Sequence, residues 1–394
     1  MATVRADARM WVDRLAAAAE TLARAGRSVS FMEVCGTHTV NAFRSGLHGL
    51  MPANVRLLSG PGCPVCVTSQ GDIDLLIELG MRSVNAQNGR GIVLCTYGDM
   101  MRVTGAAGSL ELARSRGADV RVVYSALDAV KLAAVKQDQG GRGDVVFAAV
   151  GFETTAPATA CAVLEAQRRG LTNFAVLASH KLIMPALRAL LGTFTTEARR
   201  HGTGLNVDGF LLPGHVSVIL GADVFAPIVQ DYAFPCVIAG FEPVQILSGL
   251  TRLTEMAAES KPQLENMYPQ AVTARGNRVA QTVMEQVFEP IDACWRALGV
   301  LKGSGLGVRA QYQAYDAAAK YGLVAVEGKE PPGCRCGEVI TGRCTPGECP
   351  LFGRVCTPID PIGPCMVSSE GVCAAWFKYG GQKLEVVSPK GGGA

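Results

Sequence analysis

Between residue 28 and about residue 250 the chain repeats one arrangement of apolar and polar positions. A short run of apolar and β-branched residues is followed by a Gly-rich or polar loop and then by a stretch with helical spacing. The apolar runs predict strands at residues 29–34, 55–58, 92–96, 120–124, 145–150, 174–178, 209–212 and 236–239. Continuous apolar runs that alternate with helices are typical of parallel sheets covered on both faces. The sequence therefore predicts an α/β fold with two Rossmann-like parallel-sheet domains.

Helical spacing follows several of these runs and also precedes the first. The predicted helices are residues 9–25, 127–135, 158–169, 184–191 and 243–257. Further on, residues 277–298 have the pattern of one long helix interrupted at Pro290, and no strong strand pattern follows it. Residues 303–307 are Gly-rich and precede no clear helix start, so we interpret them as a linker.

Composition limits the classes of function. The formal charge is +3, and Lys and Arg are scattered, which argues against a nucleic-acid-binding surface. Charged residues make up 18% of the chain and apolar residues 48%, as in compact proteins rather than disordered ones. The N-terminus lacks the features of a signal peptide, and no stretch approaches the ~18 unbroken apolar residues of a membrane helix. We therefore predict a cytoplasmic protein without membrane or nucleic-acid partners.

The cysteines near the C-terminus are unusually dense. Such density is typical of a disulfide framework, a zinc site or an iron–sulfur cluster. A cytoplasmic location disfavours disulfides, and the paired C-x2-C knuckles typical of zinc sites do not occur in this block. A [4Fe–4S] cluster tolerates well-spread thiolates, although zinc and surplus core cysteines stay open. The seven cysteines of this block are Cys334, Cys336, Cys344, Cys349, Cys356, Cys365 and Cys373.

These patterns set the predicted domain boundaries. Residues 1–143 form an α/β domain that carries the motifs around Cys35 and Cys63/Cys66, and residues 144–270 form a second α/β domain. Residues 271–380 form a mainly helical and loop C-terminal domain that holds the cluster. Residues 381–394 lose the pattern and are predicted to be a flexible tail.

Residues suited to chemistry follow the predicted strands, where ligands bind in open α/β sheets. Cys63 and Cys66 form the chain's single C-x2-C pair, which suits a dithiol–disulfide couple, a soft metal or merely a rigid turn. Cys35 and His38 could be a metal-binding pair, or a buried thiol with a loop histidine. Glu153 is either a functional carboxylate or part of a helix cap.

Taken together, the motifs resemble one family, the [NiFe]-hydrogenase maturation factor HypD. The match runs in order through most of the chain. Its segments are 35–38 (CGTH), 60–66 (GPGCPVC), 151–157 (GFETTAP), 213–217 (PGHVS), 349–353 (CPLFG), 356–358 (CTP) and 363–371 (GPCMVSSEG).

The resemblance implies a scaffold on which the Fe(CN)2CO unit of the hydrogenase active site is assembled. It implies that Cys35 is the main iron ligand, with His38 close by. Cys63 and Cys66 would be the redox-active pair or additional iron ligands, and Glu153 a further catalytic candidate. A small chaperone, HypC, would share the iron, and HypE with HypF would supply cyanide. The [4Fe–4S] ligands implied by the resemblance are Cys334, Cys349, Cys356 and Cys373, with Cys336, Cys344 and Cys365 near enough to compete.

From this we hypothesise that the cluster passes electrons to Cys63/Cys66, which act as a relay. Two alternatives are kept. A [4Fe–4S]-dependent thiol–disulfide oxidoreductase would use the same cluster and C-x2-C pair but leaves the Cys35 motif unexplained. A zinc-stabilised interaction protein would be colourless and without a redox signal. Whether the scaffold counts as an enzyme is a matter of definition, because it consumes electrons without releasing a small-molecule product.

Overall fold

The strands of the protein form two parallel sheets and one antiparallel hairpin. The structure is a computed structural model that describes residues 2–82, 84, 91–193, 207–325 and 328–380. The strands are β1 Val29–Glu33, β2 Val55–Ser59, β3 Val93–Thr96, β4 Val120–Val122, β5 Val145–Gly151, β6 Phe174–His180, β7 Gly209–Pro213, β8 Cys236–Ala239, β9 Leu264–Asn266, β10 Phe288–Trp295 and β11 Gly299–Val308.

The first sheet has the strand order β2-β1-β7-β8-β9 and the second the order β4-β3-β5-β6. Every neighbouring pair in both sheets is parallel. The α/β class with two parallel sheets is therefore confirmed, and each predicted apolar run contains a strand. The short edge strand β9 was not predicted, because its three residues are only half-buried and give no apolar run.

Helices cover the sheets and connect their strands. The longer ones are Ala2–Arg24, Gly36–Arg44, Gln70–Arg82, Ala126–Asp138, Ala156–Arg168, Ile183–Thr193, Pro243–Glu259, Arg278–Val287 and Val372–Tyr379. The shorter ones are Pro64–Val67, Leu110–Ser115, Gly214–Leu220, Ala226–Tyr232, Ala317–Tyr321, Cys336–Val339 and Pro364–Val367, and 3-10 turns include Leu47–Leu50 and Gly98–Arg102. The five helices predicted before residue 260 are present; the first begins at Ala2 rather than residue 9, and the others are shifted by at most three residues at their ends.

The chain leaves the first sheet and later returns to it. After β2 it builds the whole second sheet, and β7 then pairs with β1 in the middle of the first sheet. The boundary predicted between residues 143 and 144 falls between β4 and β5, which belong to the same sheet. Apolar runs predict where strands lie, but they do not show which strands pair with each other in a sheet.

The prediction of one long helix over residues 277–298 is wrong. The helix ends at Val287, and the chain continues as β10, which pairs with β11 in an antiparallel hairpin. Pro290 has no N–H and its ring opposes a continuing helix. The predicted linker at residues 303–307 is part of β11. Glycine there allows close packing, because a Cβ on Gly305 would lie 2.6 Å from that of Ala293.

The core lies on both faces of the sheets. All residues of β5 are buried, and the large side chains Phe147, Phe174 and Phe210 are fully enclosed. Burying side chains of this size stabilises the fold by about 2 kcal/mol each. The C-terminal region of mainly short helices and loops packs on the first sheet's helix Gly36–Arg44, with Phe43 and Trp376 in ring contact.

Two further predictions concern membrane helices and the C-terminal tail. None of the helices in the described ranges has the length and apolar character needed to cross a membrane. The predicted flexible tail, residues 381–394, lies outside the described residues.

Candidate metal centre and thiol sites

The loops that carry Cys35 and Cys63 touch at the carboxyl edge of the first sheet. Cys35 follows β1 and precedes the helix Gly36–Arg44, while Cys63 follows β2 and caps the helix Pro64–Val67. The amide of Gly36 donates to the carbonyl oxygen of Gly62 over 3.1 Å. A Cβ on Gly62 would lie 2.2 Å from the Cys35 nitrogen, so the close contact requires glycine there. The two predicted motifs thus share one site.

Cys63 and Cys66 are joined by a disulfide, with their Cα atoms 5.2 Å apart. Cys63 is 4% exposed and Cys66 is fully buried. The backbone N–H of Cys66 also donates to the sulfur of Cys63. The bond is the oxidised form of the dithiol couple that the C-x2-C spacing suggests.

The thiol of Cys35 lies in a buried, acidic environment. Burial, together with the nearby carboxylates of Glu370 and Glu33, raises the pKa of Cys35 to about 12. A thiol in this environment is protonated at neutral pH, so a bound cation would have to displace the proton. Cys35 is therefore not a thiolate nucleophile at neutral pH.

Glu33 is a site residue that sequence reasoning missed. Its side chain is 1% exposed and accepts hydrogen bonds from the amide of Cys35, over 3.1 Å, and from the hydroxyl of Thr39. Burial raises the pKa of Glu33 to about 8, so the carboxyl beneath Cys35 is largely neutral at pH 7. The signal in the sequence was an acidic residue at the end of an otherwise apolar strand.

His38 lies in the first turn of the helix that Cys35 precedes and is fully buried. Its Nε2 donates to the carbonyl oxygen of Gly240 over 3.0 Å, while Nδ1 has no hydrogen-bond partner. Burial lowers the pKa of His38 to about 4, so the ring is neutral. Since Nε2 carries the hydrogen, Nδ1 presents a lone pair that could bind a metal or accept a proton.

The other histidines after strands differ in their contacts. His215 stacks on Phe241, which also contacts His38, so it belongs to the surroundings of the Cys35 site. His180 contacts the hydroxyl of Thr159 and is fully buried in the second sheet. Its neighbour Lys181 is buried and paired with Asp72 at 2.9 Å, as expected for a structural ion pair.

Glu153 lies in the second sheet, directly after β5. One carboxylate oxygen accepts the N–H of Ile183 over 2.9 Å, and the other has no partner. Burial raises the pKa of Glu153 to about 7. The capping interpretation therefore applies to the helix Ile183–Thr193 and not to the helix that follows Glu153 in sequence.

A cavity of about 270 Å³ connects the second sheet's strand ends to the disulfide helix. Pro64 and Val65 of that helix line one side. The other side is formed by residues that follow β3 and β5, among them Asp99 and Thr154, and by Ser369 of the C-terminal region. The structure thus brings the motifs of both sheets to one crevice.

The predicted cluster ligands converge on one small, apolar cavity. All four of them line it, and Cys344 does not. Its cysteines are Cys334, Cys336, Cys349, Cys356, Cys365 and Cys373. Thiols around an apolar cavity are the donor set that an iron–sulfur cluster takes, so the residues fit the group.

A single metal ion would need its ligands gathered around one point. Within the residues the structure describes, no group of three or more His, Cys, Asp or Glu has the spacing to hold one ion. A structural zinc ion needs four ligands around one point, whereas a [4Fe–4S] cluster takes one thiolate on each of four irons. The cluster stays a prediction, and so does zinc.

Two cysteines in this cavity form a close pair. The sulfur atoms of Cys336 and Cys365 are 2.6 Å apart. Burial alone would raise the pKa of Cys336, but the contact with Cys365 and the buried charge of Arg296 bring it below its ordinary value. The backbone N–H of Arg296 donates to Val67 at the end of the disulfide helix. Sequence reasoning assigned no role to Arg296, because its position in a hairpin turn was not predicted.

The fold and the comparisons with known proteins agree on the class. A family model described as "HypD: Hydrogenase formation hypA family" matches residues 9–380. The hydrogenase maturation factor HypD of Azotobacter vinelandii is 46% identical over 97% of both chains. Its counterpart in Escherichia coli K12 is 43% identical over 92% of both chains. The hydrogenase expression/formation protein HupD of Azotobacter chroococcum mcd 1 is 44% identical, over 97% of this chain and 96% of that one.

These matches define the class as hydrogenase maturation factors. Within that class, the chain belongs to the HypD family. The resemblance inferred from the strand-end and C-terminal motifs is confirmed.

Proposed function

We propose that the chain is a scaffold that holds iron while the Fe(CN)2CO unit of a [NiFe] hydrogenase is assembled. The observation that carries the proposal is the contact between the Cys35 loop and the Gly62 loop. It brings a buried thiol and a buried disulfide to the same edge of the sheet. Cyanide and CO bind electron-rich iron(II), and soft thiolate ligands suit such iron.

Cys35 is proposed as the main ligand of the iron, which is the cargo. The cation displaces the proton of the buried thiol, so loading should release a proton. His38 lies in the first turn of the helix that follows Cys35 and keeps Nδ1 free of other partners. Phe241 contacts the His38 ring and Cys35 is only 7% exposed, so little water reaches this place, which would protect a reduced metal centre.

The disulfide is proposed as the redox partner of the iron site. Reduction of Cys63–Cys66 consumes two electrons and two protons and leaves two thiols. Cys336 and Cys365 are placed to act as a second couple, because the helix Pro364–Val367 packs against the helix Pro64–Val67. When bound by Cys334, Cys349, Cys356 and Cys373, a [4Fe–4S] cluster supplies single electrons. The two cysteine pairs would collect them two at a time.

The proposed partners follow from the family. They are a small chaperone of the HypC type that shares the iron, and HypE with HypF as the source of cyanide. The alternative function, reduction of disulfides in other proteins, is less well supported. A protein disulfide must reach the attacking sulfur, and neither Cys63 nor Cys66 is exposed by more than 4%.

The test is anaerobic purification after co-expression with HypC, HypE and HypF, followed by metal analysis, absorbance and infrared spectroscopy. We expect iron in excess of four per chain, a broad absorbance that dithionite bleaches, and infrared bands of iron-bound cyanide and CO. The same co-expression with Cys35→Ser should keep the absorbance and lose the infrared bands. Infrared bands of equal strength in that variant would refute the iron site.

A further inference from the structure

The segment between the last two cysteines joins the C-terminal region to both sheets. Residues 368–370 connect the helix Pro364–Val367, which carries Cys365, to the helix Val372–Tyr379, which carries Cys373. We call residues 368–370 the SSE turn. A Cβ on the next residue, Gly371, would lie 2.1 Å from the carbonyl oxygen of Cys365, so the turn is tightly wound.

At one end the SSE turn lies against the Cys35 site. A carboxylate oxygen of Glu370 accepts the hydroxyl of Thr37 over 2.6 Å. A Cβ on Gly36 would lie 2.6 Å from that of Glu370, so the glutamate covers the backbone directly after Cys35. Glu370 is also close enough to Cys35 and His215 to influence the pKa of both.

At its other end the turn is fixed to the second sheet by Asp99, in the 3-10 turn after β3. One oxygen of the Asp99 carboxylate accepts three hydrogen bonds. The donors are the hydroxyl of Ser368 at 3.1 Å, the hydroxyl of Ser369 at 2.9 Å and the backbone N–H of Ser369 at 2.9 Å. Hydrogen bonds to a charged acceptor are stronger than those between neutral groups.

We propose that Asp99 is a positioning residue for the Cys35 site. By holding the SSE turn, Asp99 keeps Glu370 against Gly36 and Thr37 and so keeps Cys35 covered. The inference rests on the proposed function for the role of the Cys35 site. The covering of Cys35 by the SSE turn does not depend on that function. Asp99 follows strand β3 of the second sheet and Thr37 follows strand β1 of the first, so the turn is a strap between the ends of the two sheets.

The test is the rate at which iodoacetamide alkylates Cys35 in the anaerobically purified full chain, read by mass spectrometry of the Cys35 peptide. The exposed Cys161 of the same molecule is the internal reference. Asp99→Ala should raise the Cys35 rate about tenfold relative to Cys161, because it removes the acceptor of all three hydrogen bonds that hold the turn. Asp99→Asn keeps an acceptor oxygen and should retain most of the wild-type protection. Asp13→Ala, which removes an exposed carboxylate on the N-terminal helix, should change nothing.

A double-variant cycle separates positioning from general loosening of the structure. Thr37→Val releases the opposite end of the same strap. Asp99→Ala with Thr37→Val should therefore react no faster than the faster single variant. The proposal would be overturned if the rate increases of the two single variants multiplied in the double variant. It would also be overturned if the Cys35 rate in Asp99→Ala stayed at the wild-type value. If Asp99→Ala does not fold, Ser369→Ala removes one side-chain donor and should give a rise of about two- to threefold.

Infrared spectra of the co-expressed proteins keep this proposal apart from the proposed function. If wild-type protein shows bands of iron-bound cyanide, Asp99→Ala should weaken them and leave the visible absorbance unchanged, and Asp99→Asn should restore them. Undiminished bands in Asp99→Ala would count against positioning. Absent bands in wild type would refute the scaffold function, while the alkylation rates would still decide whether Asp99 keeps Cys35 covered.

Discussion

The sulfur atoms of Cys336 and Cys365 lie 2.6 Å apart inside the cavity that the four predicted cluster ligands line. The helix that carries Cys365 packs against the short helix that carries Cys66. All of these cysteines except Cys334 and Cys349 belong to one continuous buried core, and Cys334 packs against it. Cys66 and Cys365, which lie on these two packed helices, are almost 300 residues apart in sequence.

The relay hypothesis predicts a selective loss in Cys66→Ala. Because Cys66 does not line the C-terminal cavity, this variant should keep the cluster's visible absorbance. It should nevertheless lose iron-bound cyanide, since Cys63 alone cannot cycle through a disulfide. Infrared spectra after co-expression measure the effect, and Cys161→Ala serves as the control because it removes an exposed thiol elsewhere. Normal cyanide loading in Cys66→Ala would remove the relay.

The cavity lining predicts which C-terminal cysteines hold the cluster. Cys349→Ser should lose most of the iron and the visible absorbance, because a cluster needs one thiolate for each iron. Cys344→Ser is the matched control, since Cys344 lies in the same region but outside the cavity. Iron analysis and absorbance of the anaerobic proteins measure both. Equal loss in the two variants would show that the cavity does not define the ligands.

Much of the fold could be predicted because its signals are local. Apolar runs of four to six residues predicted the parallel strands β1 to β8, and the motifs that follow them drew attention to Cys35, His38, Cys63 and Cys66. Strand order could not be predicted in this way, because β1 and β7 are both short apolar runs and nothing local says that they pair. The hairpin of β10 and β11 was missed because the helical spacing before Pro290 continues into the strand.

The candidate site was predictable to the same degree. Cysteines and histidines attract notice wherever they occur, but Glu33 and Asp99 act through contacts made only in the folded protein. Asp99 receives hydrogen bonds from Ser368 and Ser369, about 270 residues away in sequence. Arg296 influences Cys336 only because the fold buries the Arg296 side chain near it. Such partners depend on tertiary structure, which spacing in a single sequence does not reveal.

Glu153 predicts a pH dependence of stability. Its carboxyl has a folded pKa of about 7, raised by burial above the ordinary value of 4.5. Burial favours the neutral Glu153 carboxyl in the folded state. The contribution of this carboxyl to the free energy of unfolding is therefore fully present below pH 4.5 and is lost as the pH rises through about 7. Relative to Glu153→Gln, wild type should lose about 2–3 kcal/mol of unfolding free energy between about pH 5 and about pH 8.

Urea unfolding of both proteins at the two pH values measures this difference. Glu285→Gln, which changes an exposed carboxyl on the helix Arg278–Val287, is the control and should follow wild type at both. A difference between wild type and Glu153→Gln that is the same at both pH values would show that the Glu153 carboxyl does not titrate in this range.

Gly62 offers the most direct test of the contact between the two cysteine loops. A Cβ at this position would lie 2.2 Å from the Cys35 nitrogen and 2.4 Å from its Cα, so Gly62→Ala must push the Cys35 loop away. We expect a loss of about 2 kcal/mol or more in stability, since the clash is with backbone rather than with a flexible side chain.

The variant should also lose iron-bound cyanide while keeping the cluster's absorbance, because the C-terminal cavity does not include this loop. Gly49→Ala is the matched control, with nothing within 4 Å of its added Cβ. If thermal unfolding and infrared spectra of Gly62→Ala match those of Gly49→Ala, then the two loops do not form one site.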